Sequence, residues 1–124
     1  GYGGKLEEGE SILTGAVREV YEESGVLVRE DDLQKVADVT FHFVDHSIRV
    51  HTYFTYVWSG EPVETEEMKP FWFTYDAIPF DQMWADDVHW MPRVLRGERL
   101  IGEVSFAADG KTITAMRWNP VESF

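Results

Sequence analysis

The chain has 124 residues, a length that suits one domain able to bury an apolar core without covalent staples. Its 44 % hydrophobic content is that of ordinary soluble domains, and the lack of cysteine excludes disulfides and thiolate metal sites, which fits a reducing, cytoplasmic setting. A formal net charge of −12 argues against nucleic acid as a partner, and no apolar run approaches a membrane span.

Gly1 to Gly9 is glycine-rich and irregular. Ser11 to Ser24 reads as a helix, with Ser11 as N-cap and Gly25 just past its end. Ile12, Ala16 and Val20, flanked by Leu13 and Val17, form its apolar stripe. Val36 to Val44 alternates, with Ala37, Val39, Phe41 and Phe43 on one face of a strand. Ile48 to Trp58 alternates likewise, and Asp45-His46-Ser47 is the turn between the two. Glu64 to Pro70 reads as an acidic loop and Phe71 to Tyr75 as a short strand. Asp87 to Arg96 reads as a second helix, with Asp86 near its N-cap and Pro92 kinking it or marking a late start. Leu100 to Trp118 reads as a hairpin around Asp109-Gly110. Helices alternating with strands imply a mixed α/β or α+β domain over 1–124. A charged, catalytic-looking segment begins almost at Gly1, so the chain reads as lacking its N-terminal strands.

The informative segment is the first helix. Glu19, Glu22 and Glu23 stand at i, i+3 and i+4, which puts three carboxylates on one helical face. Like charges at that spacing repel. Taken alone they are either a solvated acidic face or a site for a hard divalent cation, because Mg²⁺ and Mn²⁺ prefer carboxylate oxygens. Arg18 precedes them and can orient a carboxylate through a bidentate pair. The wider pattern selects the second option. Five residues separate Gly4 from Glu10, seven separate Glu10 from Arg18, and Arg18-Glu19-Val20, Glu22-Glu23 and Gly25-Val26 follow.

This spacing resembles the Nudix box at every defined position. The resemblance implies a Nudix fold, a mixed sheet between helices, and a hydrolase dependent on Mg²⁺, with Mn²⁺ as an alternative. It implies metal ligands at Glu19, Glu22, Glu23, Glu67 and the carbonyl of Gly3. Arg18 would hold the glutamates, Lys5 would face substrate phosphate, and Glu67 or Glu19 would serve as the base. Read locally, Gly3-Gly4 is equally a simple turn, and Glu67 has the lesser alternative of a solvated loop acid.

The later sequence is more specific. Pro62-Val63-Glu64, Glu67-Met68-Lys69-Pro70, Trp72-Phe73, Ile78-Pro79-Phe80, Met83-Trp84, Asp86-Asp87, Trp90 and Pro92 are similar to the MutT-related members of the family that cleave oxidised purine nucleoside triphosphates. The similarity runs to about Gly97. It implies a base pocket of Trp84, Asp86 and Asp87, lined by Phe41 and Phe43, and a role in sanitising the nucleotide pool. An indole offers a stacking face for a purine, and two adjacent carboxyls that share a proton can both donate and accept. Read locally, Asp86-Asp87 is also an ordinary helix N-terminal pattern. Competing expectations are a Nudix hydrolase of another substrate (a normal nucleotide, a dinucleoside polyphosphate or a nucleotide sugar) and a non-catalytic binding module of the same fold. His42, His46, His51 and His89 lack zinc-ligand spacing and receive no role.

Overall fold

The computed structural model describes residues 2–66 and 68–124. Its elements are α1 (Ile12–Ser24), β1 (Gln34–His42), β2 (Ser47–Phe54), α2 (Asp87–Leu95), β3 (Arg99–Phe106) and β4 (Ile113–Val121), with short 3₁₀ turns at Glu30–Asp32, Tyr75–Ala77 and Phe80–Gln82. They fall into two compact units. The first joins the residues up to Gln34 to Phe54–Trp72, and the second joins Lys35–Tyr53 to Phe73–Phe124. No helix among the described residues is long and apolar enough to cross a membrane.

In the first unit, α1 begins and ends as its flanking residues dictate. Ser11 sits in an extended conformation and its hydroxyl accepts the Thr14 amide. Gly25 adopts φ 76°, a left-handed conformation that a side chain would penalise, and its amide closes on the Tyr21 carbonyl at 2.8 Å. The expected apolar stripe is only half-buried, and Ile12 is exposed. The helix instead buries Gly15, Glu23 and Ser24. Leu6 lies where a side chain at Gly15 would stand, and the Ser24 hydroxyl donates to the Val20 carbonyl at 2.6 Å. Thr14 donates to Glu30 at 2.8 Å, tying α1 to the first 3₁₀ turn.

The second unit is built on a mixed four-stranded sheet of order β2-β1-β3-β4. β1 runs parallel to β3, with Ala37 opposite Leu100 and Phe41 opposite Val104, and β3 pairs antiparallel with β4. β1 is central, and Val36, Ala37, Asp38 and Val39 are all buried, so the alternation expected for a strand with one wet face does not hold. Asp38 is tolerated there because Arg49 donates to it at 2.8 and 2.6 Å and Lys35 at 2.9 Å. Those hydrogen bonds, Arg49's first, outweigh the burial and hold the Asp38 carboxyl far below the usual range. The β3–β4 turn follows Asp109, whose carboxylate accepts the amides of Lys111 and Thr112 at 2.9 and 2.8 Å.

Some expected elements change. β2 stops at Phe54 rather than Trp58, because the Thr55 hydroxyl accepts the Val57 amide and donates to the Val57 carbonyl, turning the chain. Ser59 beyond it makes an isolated antiparallel bridge with Leu27. Phe71–Tyr75 is not a strand: Tyr75 opens a 3₁₀ turn beside a Thr74–Asp76 hydrogen bond of 2.6 Å. α2 runs through Pro92 to Leu95. The bond lost at Pro92 would have been accepted by Val88, which is exposed to water.

Trp118 packs over Gly102, its cross-strand partner, so closely that a Cβ there would overlap the indole ring. Trp90 of α2 stands 6.5 Å from the same ring. Gly102→Ala is expected to destabilise the protein by about 1–3 kcal/mol through overpacking, read as a lower urea midpoint at unchanged m-value. An unshifted midpoint would refute this account of the contact.

Candidate active site

Helix α1 presents its carboxylates to one guanidinium. Arg18 Nε and an Nη donate to the two oxygens of Glu10 at 2.7 and 2.9 Å, a bidentate fork. Its other Nη donates to Glu19 at 2.8 Å and to Glu22 at 3.0 Å. The Lys5 carbonyl accepts a further bond at 3.1 Å, and Glu7 lies 3.8 Å away. The fork holds the Glu10 carboxyl down at about 2, helped by a backbone hydrogen bond at Glu7, and the same contacts raise Arg18 above its ordinary range. Glu10 was part of the spacing pattern but had no assigned role. Its position eight residues before Arg18 was the only signal, and a loop must fold back for the two to meet.

The glycine loop lies on the same face. The Gly3 amide donates to Glu23 Oε2 at 3.1 Å, and Glu23 is buried. A side chain at Gly4 would stand 2.6 Å from the Glu19 carboxylate and would push it aside, so glycine here lets the loop lie close to that carboxylate in its present position. Thr65 donates to the Glu23 carbonyl at 2.8 Å. The Lys5 side chain is exposed. Glu67, expected as a ligand or base, lies outside the described residues.

Sequence reasoning expected Glu19, Glu22, Glu23 and the Gly3 carbonyl to converge. Here Arg18 engages Glu19 and Glu22, while Glu23 takes the Gly3 amide. Among the described residues no group of three or more His, Cys, Asp or Glu is gathered closely enough to hold a metal ion. The chemistry of the set nonetheless suits one. Glu7, Glu10, Glu19 and Glu22 gather around Arg18 with Glu23 on the same helical face, and all the donors are hard oxygens.

The second unit carries the other expected residues. Phe41 stacks on Phe106 at 6.1 Å and Phe43 on Phe106 at 5.2 Å, with the rings within 16° of parallel. Trp84, largely exposed, meets Phe106 edge-on at 6.5 Å. Phe106 links these rings and was missed. It lies far along the chain from Phe41, and only the parallel pairing of β1 with β3 brings them together.

Asp86 precedes α2 but does not cap it. It is 2 % exposed and its carboxylate accepts the Trp90 indole N–H at 2.9 Å. Asp87 is half-buried. Burial first, and then the adjacent Asp86 charge, raise its carboxyl to about 6, against a backbone hydrogen bond at Trp84.

Comparison with known proteins follows this geometry. A family described as the NUDIX domain matches residues 2–94. The chain is 44 % identical over 108 residues to the oxidized purine nucleoside triphosphate hydrolase of Danio rerio, covering 86 % of this chain and 68 % of that one. It is 42 % identical over 126 positions to the protein of the same name from Mus musculus, covering 100 % of this chain and 79 % of the relative. The crystal structure of the MutT protein from Bacillus halodurans superposes with a TM-score of 0.80 at 25 % identity, covering 94 % of this chain and 78 % of that one. A mixed sheet and two helices, the first bearing the carboxylates beneath a glycine loop, define a hydrolase of the MutT type. The chain belongs to the Nudix family, whose hydrolases need a divalent metal ion.

Asp87 makes stability depend on pH. Its folded pKa, about 6, lies above the unfolded value near 3.8, so its favourable contribution is complete below that value and is lost as pH rises through 6. Asp87→Asn should therefore raise stability at pH 8 by about 1–2 kcal/mol after allowing for partial exposure, and by nothing at pH 4. Thermal unfolding at the two pH values checks this, and an equal gain at both would show that charge is not the cause.

Proposed function

We propose that this chain is a Mg²⁺-dependent pyrophosphohydrolase of oxidised purine nucleoside triphosphates, such as 8-oxo-dGTP, that removes them from the nucleotide pool. The observation that carries this reading is the 42 % identity, over the whole chain, to the mouse hydrolase of oxidised purine nucleoside triphosphates.

Glu19, Glu22, Glu23, Glu67 and the Gly3 carbonyl are the residues that would hold Mg²⁺, with Mn²⁺ served by the same oxygens. The bound ion supplies charge neutralisation between an anionic triphosphate and an acidic helix, and it polarises the phosphoryl oxygens. Arg18 keeps Glu19 and Glu22 aimed from one side, and Lys5, exposed beside them, faces phosphate. Water attacks phosphorus, one P–O–P bond breaks, and a carboxylate, Glu19 or Glu67, takes the proton of the attacking water. The products are a nucleoside monophosphate and pyrophosphate.

Base selection is assigned to Trp84, Asp86, Asp87, Phe41 and Phe43. The exposed Trp84 indole offers a ring for the purine. Asp87, titrating near 6, exchanges a proton with its surroundings close to neutral pH beside a second acid. A protonated carboxyl donates and an ionised one accepts, so the pair suits a purine edge presenting both functions.

The direct test is a competitive panel of normal and oxidised triphosphates, scored by pyrophosphate release with Mg²⁺ and after chelation. Preference for oxidised purines, abolished by chelator, is expected. Turnover of another diphosphate compound would redirect the substrate, and no turnover on any would favour a binding module. Glu23→Gln should lower kcat by about 100-fold or more with an unchanged circular dichroism spectrum, and a near wild-type kcat would remove Glu23 from the metal site. Trp84→Ala should raise KM for purine triphosphates about three- to tenfold without altering metal affinity. An unchanged KM would end the pocket assignment.

A further inference from the structure

The aromatic set in the second unit does not end at Phe43. Phe43 lies just past β1, and its amide donates to the His46 carbonyl at 2.8 Å, closing the turn into β2. That turn brings the His46 imidazole back over the Phe43 ring. The two centroids are 4.8 Å apart and the planes 13° from parallel. Phe43 is also stacked at 15° on Phe106, 5.2 Å away, so it is held by a parallel ring in each contact. Phe106 in turn meets Trp84 edge-on. The rings therefore run as a connected series from Trp84 through Phe106 and Phe43 to His46. Asp45 fixes the last ring, its carboxylate lying 2.7 Å from His46 Nδ1.

We infer that His46 is a positioning residue for the purine pocket, fixing the Phe43 ring by stacking on it from the turn between β1 and β2. The inference rests on the proposed assignment of Phe43 and Trp84 to base binding. The His46 side chain is 54 % exposed, so it contributes little to a buried core, and its ring contact is with a pocket aromatic. A ring fixed at χ1 and χ2 before the ligand arrives need not be ordered on binding, which favours affinity rather than the chemical step. The effect should therefore fall on KM. It should also depend on having an aromatic ring at position 46, not on having an imidazole.

The experiment compares His46→Ala, His46→Phe and Trp84→Ala with the wild type, measuring KM, kcat and Tm on the oxidised purine triphosphate the enzyme prefers. His46→Ala should raise KM about three- to tenfold with kcat within about twofold and Tm essentially unmoved. His46→Phe should bring KM back to near the wild-type value. A KM that stays at the wild-type value in His46→Ala while Trp84→Ala raises it would overturn the role of His46 and leave the pocket standing. An unchanged KM in both variants would overturn the pocket assignment and this inference with it. A KM defect that His46→Phe does not repair, or one accompanied by a large fall in Tm, would show that stacking on Phe43 is not how His46 acts.

Discussion

Three glutamates on one turn of a helix are an electrostatic liability, and the fold meets it with a single guanidinium. Arg18 can do this because five N–H groups in a planar fork reach several carboxylates at once. Glu10 takes two of those bonds from the loop ahead of the helix, which fixes the guanidinium plane before Glu19 and Glu22 are engaged. Lysine would not substitute, since a point charge has no plane to fix. The third glutamate is handled differently. Glu23 turns under the glycine loop and accepts a backbone amide. The helix and the loop are therefore joined into one hydrogen-bonded, electrostatic unit.

Local sequence chemistry predicted the parts of the fold that local chemistry controls. Ser11 and Gly25 bound α1 within a residue of expectation, because capping acts over one turn. Asp109 organised the β3–β4 turn for the same reason. Failures came where a polar side chain redirected the backbone against a hydrophobic alternation. Tyr56 and Trp58 continue the pattern of β2, yet the Thr55 hydroxyl ends the strand first. Phe71 to Tyr75 reads as a strand only if aromatic content is allowed to outweigh the turn made by Thr74 and Asp76.

Long-range pairing set the other limit. Nothing near Phe41 announces Phe106, and the contact exists because β1 lies parallel to β3. The burial of Asp38 is similar. It alternates with the apolar Ala37 and Val39, yet in a central strand it is an interior acid that needs Arg49 and Lys35. In the site itself, the spacing disclosed which residues share a helical face. It could not disclose that Arg18 and the Gly3 amide would divide the carboxylates between them, because that depends on where the preceding loop folds back.

Glu10 in the first unit and Asp87 in the second are perturbed in opposite directions. In the first, hydrogen bonds to Arg18 keep Glu10 ionised down to about pH 2, which preserves negative charge where hard cations would be attracted. In the second, burial and the Asp86 charge push the Asp87 carboxyl up to about 6. Asp86 itself is committed to the Trp90 indole, so it acts as an acceptor already in use. The neighbour is then the group free to change protonation near neutrality. One residue class thus yields fixed charge in one place and a transferable proton in the other, decided by whether an arginine or a second acid stands beside the carboxyl. Under the function proposed above, the fixed charge would serve metal and polyphosphate and the transferable proton the edge of a base.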